Sequence, residues 1–338
     1  MADTARTSVT LADGRELIYF DDAPWLDRTA PDRRVLPPSD PRPEVRFDPV
    51  TGEHIVIAAH RQTRTFLPTA DAAARAACPL CPGHAESEVP ADGYHVAIFE
   101  NRFPSLGGPA GGRCEVVCFT DDHDATFAGL PPARLATVAR AFADRTRELG
   151  ARPDVEEVFV FENRGAEIGA TLSHPHGQIY AFPYLTPRTR RALAHDRCVF
   201  CEVVKREADG ERVIAETANF IAFVPYAARW PYQAQIVPRE HVPDITALGE
   251  DAATELMGLY ADVLGRFGRL YDKDVPYMAG WHQAPPAAAR DRAHLWVEVY
   301  TPQRTADKLK YLASVETGTG AFLNDVRPED AAERLRTV

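Results

Sequence analysis

Two C-x-x-C pairs lie 120 residues apart in the chain, Cys78 with Cys81 and Cys198 with Cys201. The same offset carries His174 onto His294. The segments between follow in the same order: HVAIFENRFP (95–104) corresponds to ANFIAFVPY (218–226), and CEVVCFTDDHD (114–124) to YQAQIVPREHV (232–242). A repeat of this kind indicates two copies of one structural unit. We therefore expect two domains, residues 1–190 and 191–338, that pack together through one sheet or one interface.

Strand and helix patterns recur in each half in the same order. Strand-like runs with hairpin turns occupy 8–20 and 45–60, and further runs fall at 94–99, 114–119, 157–163 and 176–183. Apolar stripes with helical spacing predict one long helix at about 131–149 and another at about 250–271. The expected fold class is α+β, with two similar halves made of antiparallel strands and helices packed on them.

The repeat also predicts two metal sites. A single C-x-x-C pair is compatible with either metal binding or redox chemistry, but each pair here is followed by two histidines at closely matched intervals. The predicted ligand sets are Cys78, Cys81, His123 and His174 in the first half, and Cys198, Cys201, His241 and His294 in the second. The alternative for His123 and His241 is an ordinary loop histidine. Two thiolates and two imidazoles suit a closed tetrahedral zinc site, so we expect two Zn²⁺ ions per chain.

Composition excludes several functional classes. The net charge of −11 argues against a broad nucleic-acid surface. The apolar runs fall short of the roughly 18 residues that a membrane-spanning helix needs. The first residues, MADTARTSVTLADGREL, lack the apolar core of a secretory signal, which predicts a cytoplasmic protein. In such a compartment Cys114 and Cys118 are expected to be small buried side chains and not a disulfide.

The segment from Ser173 to Gln178, SHPHGQ, holds the strongest catalytic candidate. Alternation along a strand places His174, His176 and Gln178 on one face, and we expect Gly177 to let a ligand come close. In the second half the corresponding residues are His294, Trp296 and Glu298. A structural role would be expected in both copies, whereas a catalytic role needs only one. We therefore assign His174 to the metal and His176 to the chemistry; the alternative is that His176 only donates a supporting hydrogen bond.

An imidazole at this position can act as a general base or as a nucleophile. No serine or cysteine nucleophile with an adjacent base is evident in the sequence. A phosphate leaving group needs little or no protonation near pH 7, and Gln178 can donate hydrogen bonds but cannot supply a proton. The arrangement favours covalent nucleotidyl transfer between phosphates over hydrolysis.

Several long motifs resemble the galactose-1-phosphate uridylyltransferase family of the histidine-triad superfamily. They include the strand HPHGQIYAFP (174–183) together with CPLCPGH (78–84), FENRGAEIGATLSHPHGQ (161–178), FVPYAARWPY (223–232), GWHQAP (280–285) and PEDAAERLR (328–336). The resemblance implies a ping-pong reaction in which His176 takes UMP from UDP-glucose and passes it to galactose 1-phosphate, giving UDP-galactose. It also implies a homodimer in which the partner chain completes each site.

The resemblance further implies roles for residues outside the histidine strand. Gln178 would bind the transferred phosphoryl group, and the remaining substrate contacts would come from Arg61, Arg64, Asn101, Asn163, Thr171, Lys310 and Glu316. Of these, Lys310 and Glu316 lie where the family holds the hexose. On the sequence alone, Arg61 and Arg64 are equally compatible with a solvated basic turn, and the two asparagines with ordinary turn positions.

The chain also departs from well-known members, which carry an iron-type site with an H-x-H pair in the strand after GWH. Here that strand is LWVEVY, where the matching positions look like Val297 and Val299, so no iron site is predicted despite His282. The pair Cys198 and Cys201 instead resembles relatives with two zinc sites, some of which act on adenylyl substrates. The alternative functions are therefore an adenylyltransferase or phosphorylase acting on ADP-sugars and, in a different class, a non-catalytic zinc protein.

Overall fold

The computed structural model describes residues 6–23, 26–63 and 77–338. Its strands, numbered along the chain, are β1 (Arg6–Thr10), β2 (Glu16–Phe20), β3 (Glu44–Asp48), β4 (Glu53–Ile57), β5 (Val96–Glu100), β6 (Arg113–Cys118), β7 (Glu157–Arg164), β8 (His176–Phe182), β9 (Val213–Glu216), β10 (Phe220–Phe223), β11 (Tyr232–Pro238), β12 (Tyr277–His282), β13 (Trp296–Thr301), β14 (Gln303–Thr305) and β15 (Lys308–Leu309). Its α-helices are α1 (Pro132–Gly150), α2 (Pro187–Ala192), α3 (Val199–Glu207), α4 (Glu250–Gly268), α5 (Ser314–Thr319) and α6 (Pro328–Thr337).

Eleven of these strands form one sheet, in which every pair of neighbours runs antiparallel. The order across the sheet is β1-β2-β5-β6-β8-β7-β12-β13-β11-β10-β9. The strand pairs β3–β4 and β14–β15 form separate two-stranded units. No helix within the described part of the chain is both long enough and apolar enough to cross a membrane.

The sheet has a pseudo-two-fold arrangement about its centre, where β7 pairs with β12 and Asn163 lies opposite Met278. Outward from this junction the first half places β7, β8, β6, β5 and β2, and the second half places β12, β13, β11, β10 and β9. Each half adds one 19-residue helix, α1 or α4, and the two helices begin 118 residues apart. The predicted α+β fold with two similar halves is confirmed, and the halves share one sheet.

The two faces of the sheet differ because side chains alternate along each strand. One face packs against α1 and α4 and forms the largest apolar cluster, which includes Val117, Val160, Ile179, Ile236 and Val297. In β8 Ile179 and Ala181 belong to this buried set, while His176, Gln178 and Tyr180 point to the opposite face. The opposite face therefore carries the functional side chains.

The long helices lie close to their predicted positions. Helix α1 begins with Pro132 in its first turn and buries Leu135, Val138, Phe142 and Leu149, the stripe read from the sequence. Helix α4 ends at Gly268 and not at the predicted residue 271. The backbone N–H of Arg269 reaches the carbonyls of both Gly265 and Arg266, so the last turn tightens and the α-helix stops.

The expected direction of Gly177 is wrong. A Cβ on Gly177 would lie 2.8 Å from Cζ of Phe119 and 2.9 Å from the carbonyl oxygen of Phe161, on the helix-packed face. Gly177 thus permits close packing inside the protein and does not face a ligand. Val297 and Val299 also point into the helix-packed core, whereas His282 lies beside Trp296 and Glu298 on the other face. The two valines are therefore not the neighbours of His282.

Candidate active site and metal clusters

The first predicted metal cluster comes together between two loops and the segment that leads into β8. Its four potential ligand atoms lie within 4.8 Å of one another and belong to Cys78, Cys81, His123 and His174. Sγ of Cys81 is 3.2 Å from Nδ1 of His123 and 3.5 Å from Nδ1 of His174. Two sulfurs and two imidazole nitrogens at this spacing fit a closed tetrahedral zinc site.

The surroundings of His174 prepare its ring for this role. Its Nε2 lies 2.9 Å from the carbonyl oxygen of Thr120, so the ring donates from Nε2 and leaves Nδ1 directed at the cluster. The Tyr94 hydroxyl lies 2.9 Å from the same Nε2, from which it can accept, and it donates its own hydrogen to the carbonyl oxygen of Leu80. Burial lowers the pKa of His174 to about 4, which keeps the imidazole neutral, as a metal ligand must be.

The second predicted cluster has the same composition in the second half. Cys198, Cys201, His241 and His294 also bring their ligand atoms within 4.8 Å of one another. Sγ of Cys198 is 3.3 Å from Nδ1 of His294, whose Nε2 lies 3.1 Å from the carbonyl oxygen of Pro238. His241 is exposed here, whereas its counterpart His123 is buried. This donor set also fits zinc, at a site closer to solvent.

His176 is the first residue of β8 and lies two residues beyond the metal-candidate His174. Its Nδ1 is 2.7 Å from the carbonyl oxygen of His174, so Nδ1 carries the hydrogen and Nε2 has a free lone pair. Burial lowers the pKa of His176, which favours the neutral, nucleophilic ring. The first metal cluster and the candidate nucleophile are therefore joined by one backbone carbonyl.

Six of the predicted site residues line a single cavity of about 470 Å³: Arg61, Asn101, Asn163, Thr171, His176 and Gln178. A second cavity of about 420 Å³ lies beside it and shares His176 and Asn163 with it. Cavities of this size accommodate small-molecule ligands. His176 thus lies where two adjoining cavities meet. This position suits a side chain that transfers a chemical group between two bound molecules.

The apolar wall of the larger cavity was missed in the sequence. Phe99, Phe103, Val116, Phe161 and Tyr180 contribute to it. Tyr180 shares the strand face of His176 and Gln178, so the alternation of β8 could have identified it. Phe99 and Phe161 come from other strands and Phe103 from the segment after β5, and only the tertiary arrangement brings them here.

Of the three remaining predicted substrate residues, two lie away from this cavity. Arg64 lies outside the described residues. Lys310 follows β15, and its ammonium group donates to the carbonyl oxygen of Arg229, 2.7 Å away, and to that of Leu323. Glu316 lies beside it, with 3.8 Å between the ammonium nitrogen and the carboxylate. Neither Lys310 nor Glu316 lines the two cavities that meet at His176 in the same chain.

Comparisons with known proteins agree with this geometry. A sequence model described as "Galactose-1-phosphate uridyl transferase, N-terminal domain" matches residues 107–186, and the corresponding C-terminal domain matches residues 173–338. The chain is 44% identical to the galactose-1-phosphate uridylyltransferase of Streptomyces lividans, with 98% of both proteins covered. It is 38% identical to that of Thermotoga maritima, over 87% of this chain and 98% of the relative.

Solved structures show the same relationship. A uridylyltransferase structure matches 87% of this chain and 98% of its own with a TM-score of 0.77 at 30% identity. An ADP-glucose phosphorylase from Arabidopsis thaliana shares the fold, with a TM-score of 0.67 at 24% identity over 88% of this chain and 99% of its own.

Proposed function

The chain belongs to the galactose-1-phosphate uridylyltransferase family of nucleotidyltransferases, and we propose that it moves a uridylyl group from UDP-glucose to galactose 1-phosphate through His176. The observation that carries this proposal is the free Nε2 of His176 at the meeting point of two cavities. One cavity would hold the nucleotide, and the other would let the two sugar phosphates exchange.

The reaction consists of two displacements at the same phosphorus atom. In the first, Nε2 of His176 attacks the α-phosphorus of UDP-glucose, a P–N bond forms, and the P–O bond to glucose 1-phosphate breaks. Glucose 1-phosphate leaves with the electron pair, so no proton donor is needed near pH 7. In the second, a phosphate oxygen of galactose 1-phosphate attacks the uridylyl group, the P–N bond breaks, and UDP-galactose leaves.

The other polar residues of the cavity have roles that match their chemistry. The Gln178 amide lies on the same strand face as His176 and can donate to the oxygens of the transferred phosphoryl group. Arg61 contributes a permanent positive charge to a protein with a net charge of −11. Asn101, Asn163 and Thr171 offer neutral hydrogen bonds for the ribose and the phosphates.

We assign Zn²⁺ to both four-residue clusters. In the first cluster the metal would fix His174 and therefore the carbonyl that holds Nδ1 of His176. In the second it would join the start of α3 to the loops before α4 and β13. A closed four-ligand site supplies folding energy and leaves no position for substrate, so both ions are assigned a structural role. On this view the half 1–190 carries the nucleophile and the first zinc, and the half 191–338 carries the second zinc and the hexose contacts.

The position of Lys310 and Glu316 supports a homodimer. Apolar side chains beside them are exposed, with Tyr311 at 75%, Leu312 at 40% and Val315 at 47%. A contiguous exposed apolar segment of this kind is typical of a protein interface. In a dimer this segment would reach the partner's cavity and place the hexose contacts there. Sedimentation of the purified protein only at its monomer mass would contradict this arrangement.

The experiment that tests the function is mass spectrometry of the protein after brief exposure to UDP-glucose, with ADP-glucose in a parallel sample. We expect a uridylyl adduct on the peptide that contains His176, and steady-state turnover with galactose 1-phosphate. The variant His176→Gly should fold normally, form no adduct and lose transfer. Full turnover by that variant would refute the mechanism, and an adenylyl adduct in place of the uridylyl adduct would favour the alternative acting on ADP-sugars.

A further inference from the structure

The row of functional side chains on β8 continues one position beyond Gln178. Tyr180 lies on the same face as His176 and Gln178 and lines the same cavity. Its hydroxyl oxygen is 3.2 Å from Oγ of Ser105 and 3.5 Å from Nη1 of Arg61. A phenol in this position links the strand of the nucleophile to the arginine assigned to the phosphates.

Arg61 is held by a short turn and not by a long element. It belongs to the 3₁₀ turn Ala59–Thr63, and its Nη1 donates to the carbonyl oxygen of Phe103 at 2.7 Å. The neighbouring His60 places Nε2 2.9 Å from the carbonyl oxygen of Pro104. No carboxylate among the described residues forms an ion pair with Arg61, so its charge remains available to an anion in the cavity.

The Tyr180 ring has little freedom to move. It packs edge-on against Phe161, with ring centroids 5.0 Å apart. It also contacts Phe182 at a tilt, with ring centroids 5.9 Å apart. Burial raises the pKa of Tyr180, so the hydroxyl stays protonated and can accept from Arg61 while donating to Ser105. An arginine side chain is long and flexible, and a fixed acceptor beside Nη1 restricts the positions of the guanidinium.

We propose that Tyr180 is a positioning residue that holds the Arg61 guanidinium toward the phosphates of the bound nucleotide, with Ser105 orienting the phenol. This inference rests on the proposed function and deepens it. Because Nη1 is occupied by the Phe103 carbonyl and the Tyr180 hydroxyl, the remaining N–H groups of Arg61 are left for phosphate oxygens. Fixing a charged group before substrate arrives reduces the ordering that binding and reaction require.

The test is a double-mutant cycle between Tyr180→Phe and Arg61→Ala, read out as the rate of uridylyl-enzyme formation against UDP-glucose concentration. Tyr180→Phe keeps the packed ring and removes only the hydroxyl. We expect it to lower kcat/KM of this half-reaction about three- to tenfold, the range of one modest hydrogen bond. In the Arg61→Ala background the same change should cause no further loss, since its effect passes through Arg61.

Two additional variants make the result specific. In the protein that retains Arg61, Ser105→Ala should lower the rate by less than Tyr180→Phe does. In the Arg61→Ala background it should cause no further loss. Tyr184→Phe is the matched control, because Tyr184 stacks on His54 with centroids 4.3 Å apart and does not contact Arg61, so the rate should not change. Thermal unfolding of each variant checks that the fold is intact.

The outcomes separate this inference from the function on which it rests. Equal losses from Tyr180→Phe in both backgrounds, or no loss in either while Arg61→Ala is slow, would overturn the positioning role and leave the uridylyl transfer in place. Absence of any uridylyl adduct in the unmodified protein would remove the proposed function and this inference with it.

Discussion

Gly177→Ala tests how tightly the strand of the nucleophile is packed against its neighbours. The added Cβ would lie 2.8 Å from Cζ of Phe119 and 2.9 Å from the carbonyl oxygen of Phe161, and distances below 3.0 Å require a shift. Phe119 is buried and packs edge-on against Phe127, with centroids 4.9 Å apart, so its ring cannot swing out of the way. The Phe161 carbonyl belongs to β7, which is paired on both sides. The strain must therefore move β8 itself.

The expected cost follows from these contacts. Overpacking a well-packed core costs roughly 1–3 kcal/mol, and the reduced freedom of alanine in the unfolded chain offsets about 0.4–1 kcal/mol of that. We expect a net destabilisation of about 1–2 kcal/mol. Misplacing a reacting group by about 1 Å costs on the order of 100-fold in rate, so a shift of a few tenths of an ångström at His176 should slow uridylyl transfer by a few fold.

Chemical unfolding and the rate of adduct formation measure the two effects separately. Phe119→Leu removes the ring atom that the new Cβ would meet, so the double variant should be about 1 kcal/mol more stable than the sum of the single changes. Gly258→Ala is the control, because Gly258 is exposed in α4 with nothing within 4 Å of its added Cβ, and alanine should there be neutral or stabilising. Unchanged stability and rate in Gly177→Ala, or strict additivity with Phe119→Leu, would refute the packing argument.

The remaining predictions concern the phosphoryl contact and the metals. Gln178→His should slow transfer and allow the uridylyl-enzyme to hydrolyse, seen as free UMP released in the absence of galactose 1-phosphate; an unchanged rate and partition would contradict the hydrogen-bond role. Metal analysis should find two zinc ions per chain, and serine at both Cys198 and Cys201 should remove one and lower the unfolding temperature more than the rate. Serine at Cys78 and Cys81 should lower both stability and rate, and retention of all zinc after loss of the second pair would refute the two-site assignment.

The repeat made much of the fold predictable. Cysteine pairs and histidines at fixed intervals are chemically specific, so the offset between Cys78 and Cys198 identified the two halves, and the 118-residue offset of α1 and α4 agrees with it. The end of α4 was less predictable, because Leu270 continues the apolar stripe and is buried although the helix has ended. Burial of a side chain depends on the surroundings, whereas a helix ends where its backbone hydrogen bonds change.

The site was predictable where residues share one strand, and less so elsewhere. Alternation placed His176 and Gln178 on one face, and both line the cavity. The same alternation puts Gly177 on the other face, so the pattern itself contradicts the expectation that Gly177 lets a ligand come close. Phe103 and Phe161 reach the cavity from separate parts of the chain, and no local pattern connects them.

The two halves share a cluster of two cysteines and two histidines and differ at the positions that His176 and Gln178 occupy. In the second half Trp296 stacks on His282, with ring centroids 3.7 Å apart, and Glu298 pairs with Arg188 at 2.6 Å. The His282 ring covers the Trp296 ring, and Arg188 pairs with the Glu298 carboxylate. In the first half His176 instead lines two adjoining cavities. A cluster that supplies folding energy is useful in both copies of the repeat. A nucleophile also requires room for its substrate, and the cavities lined by Trp296 and by Glu298, about 130 and 260 Å³, are smaller than the cavity of about 470 Å³ beside His176.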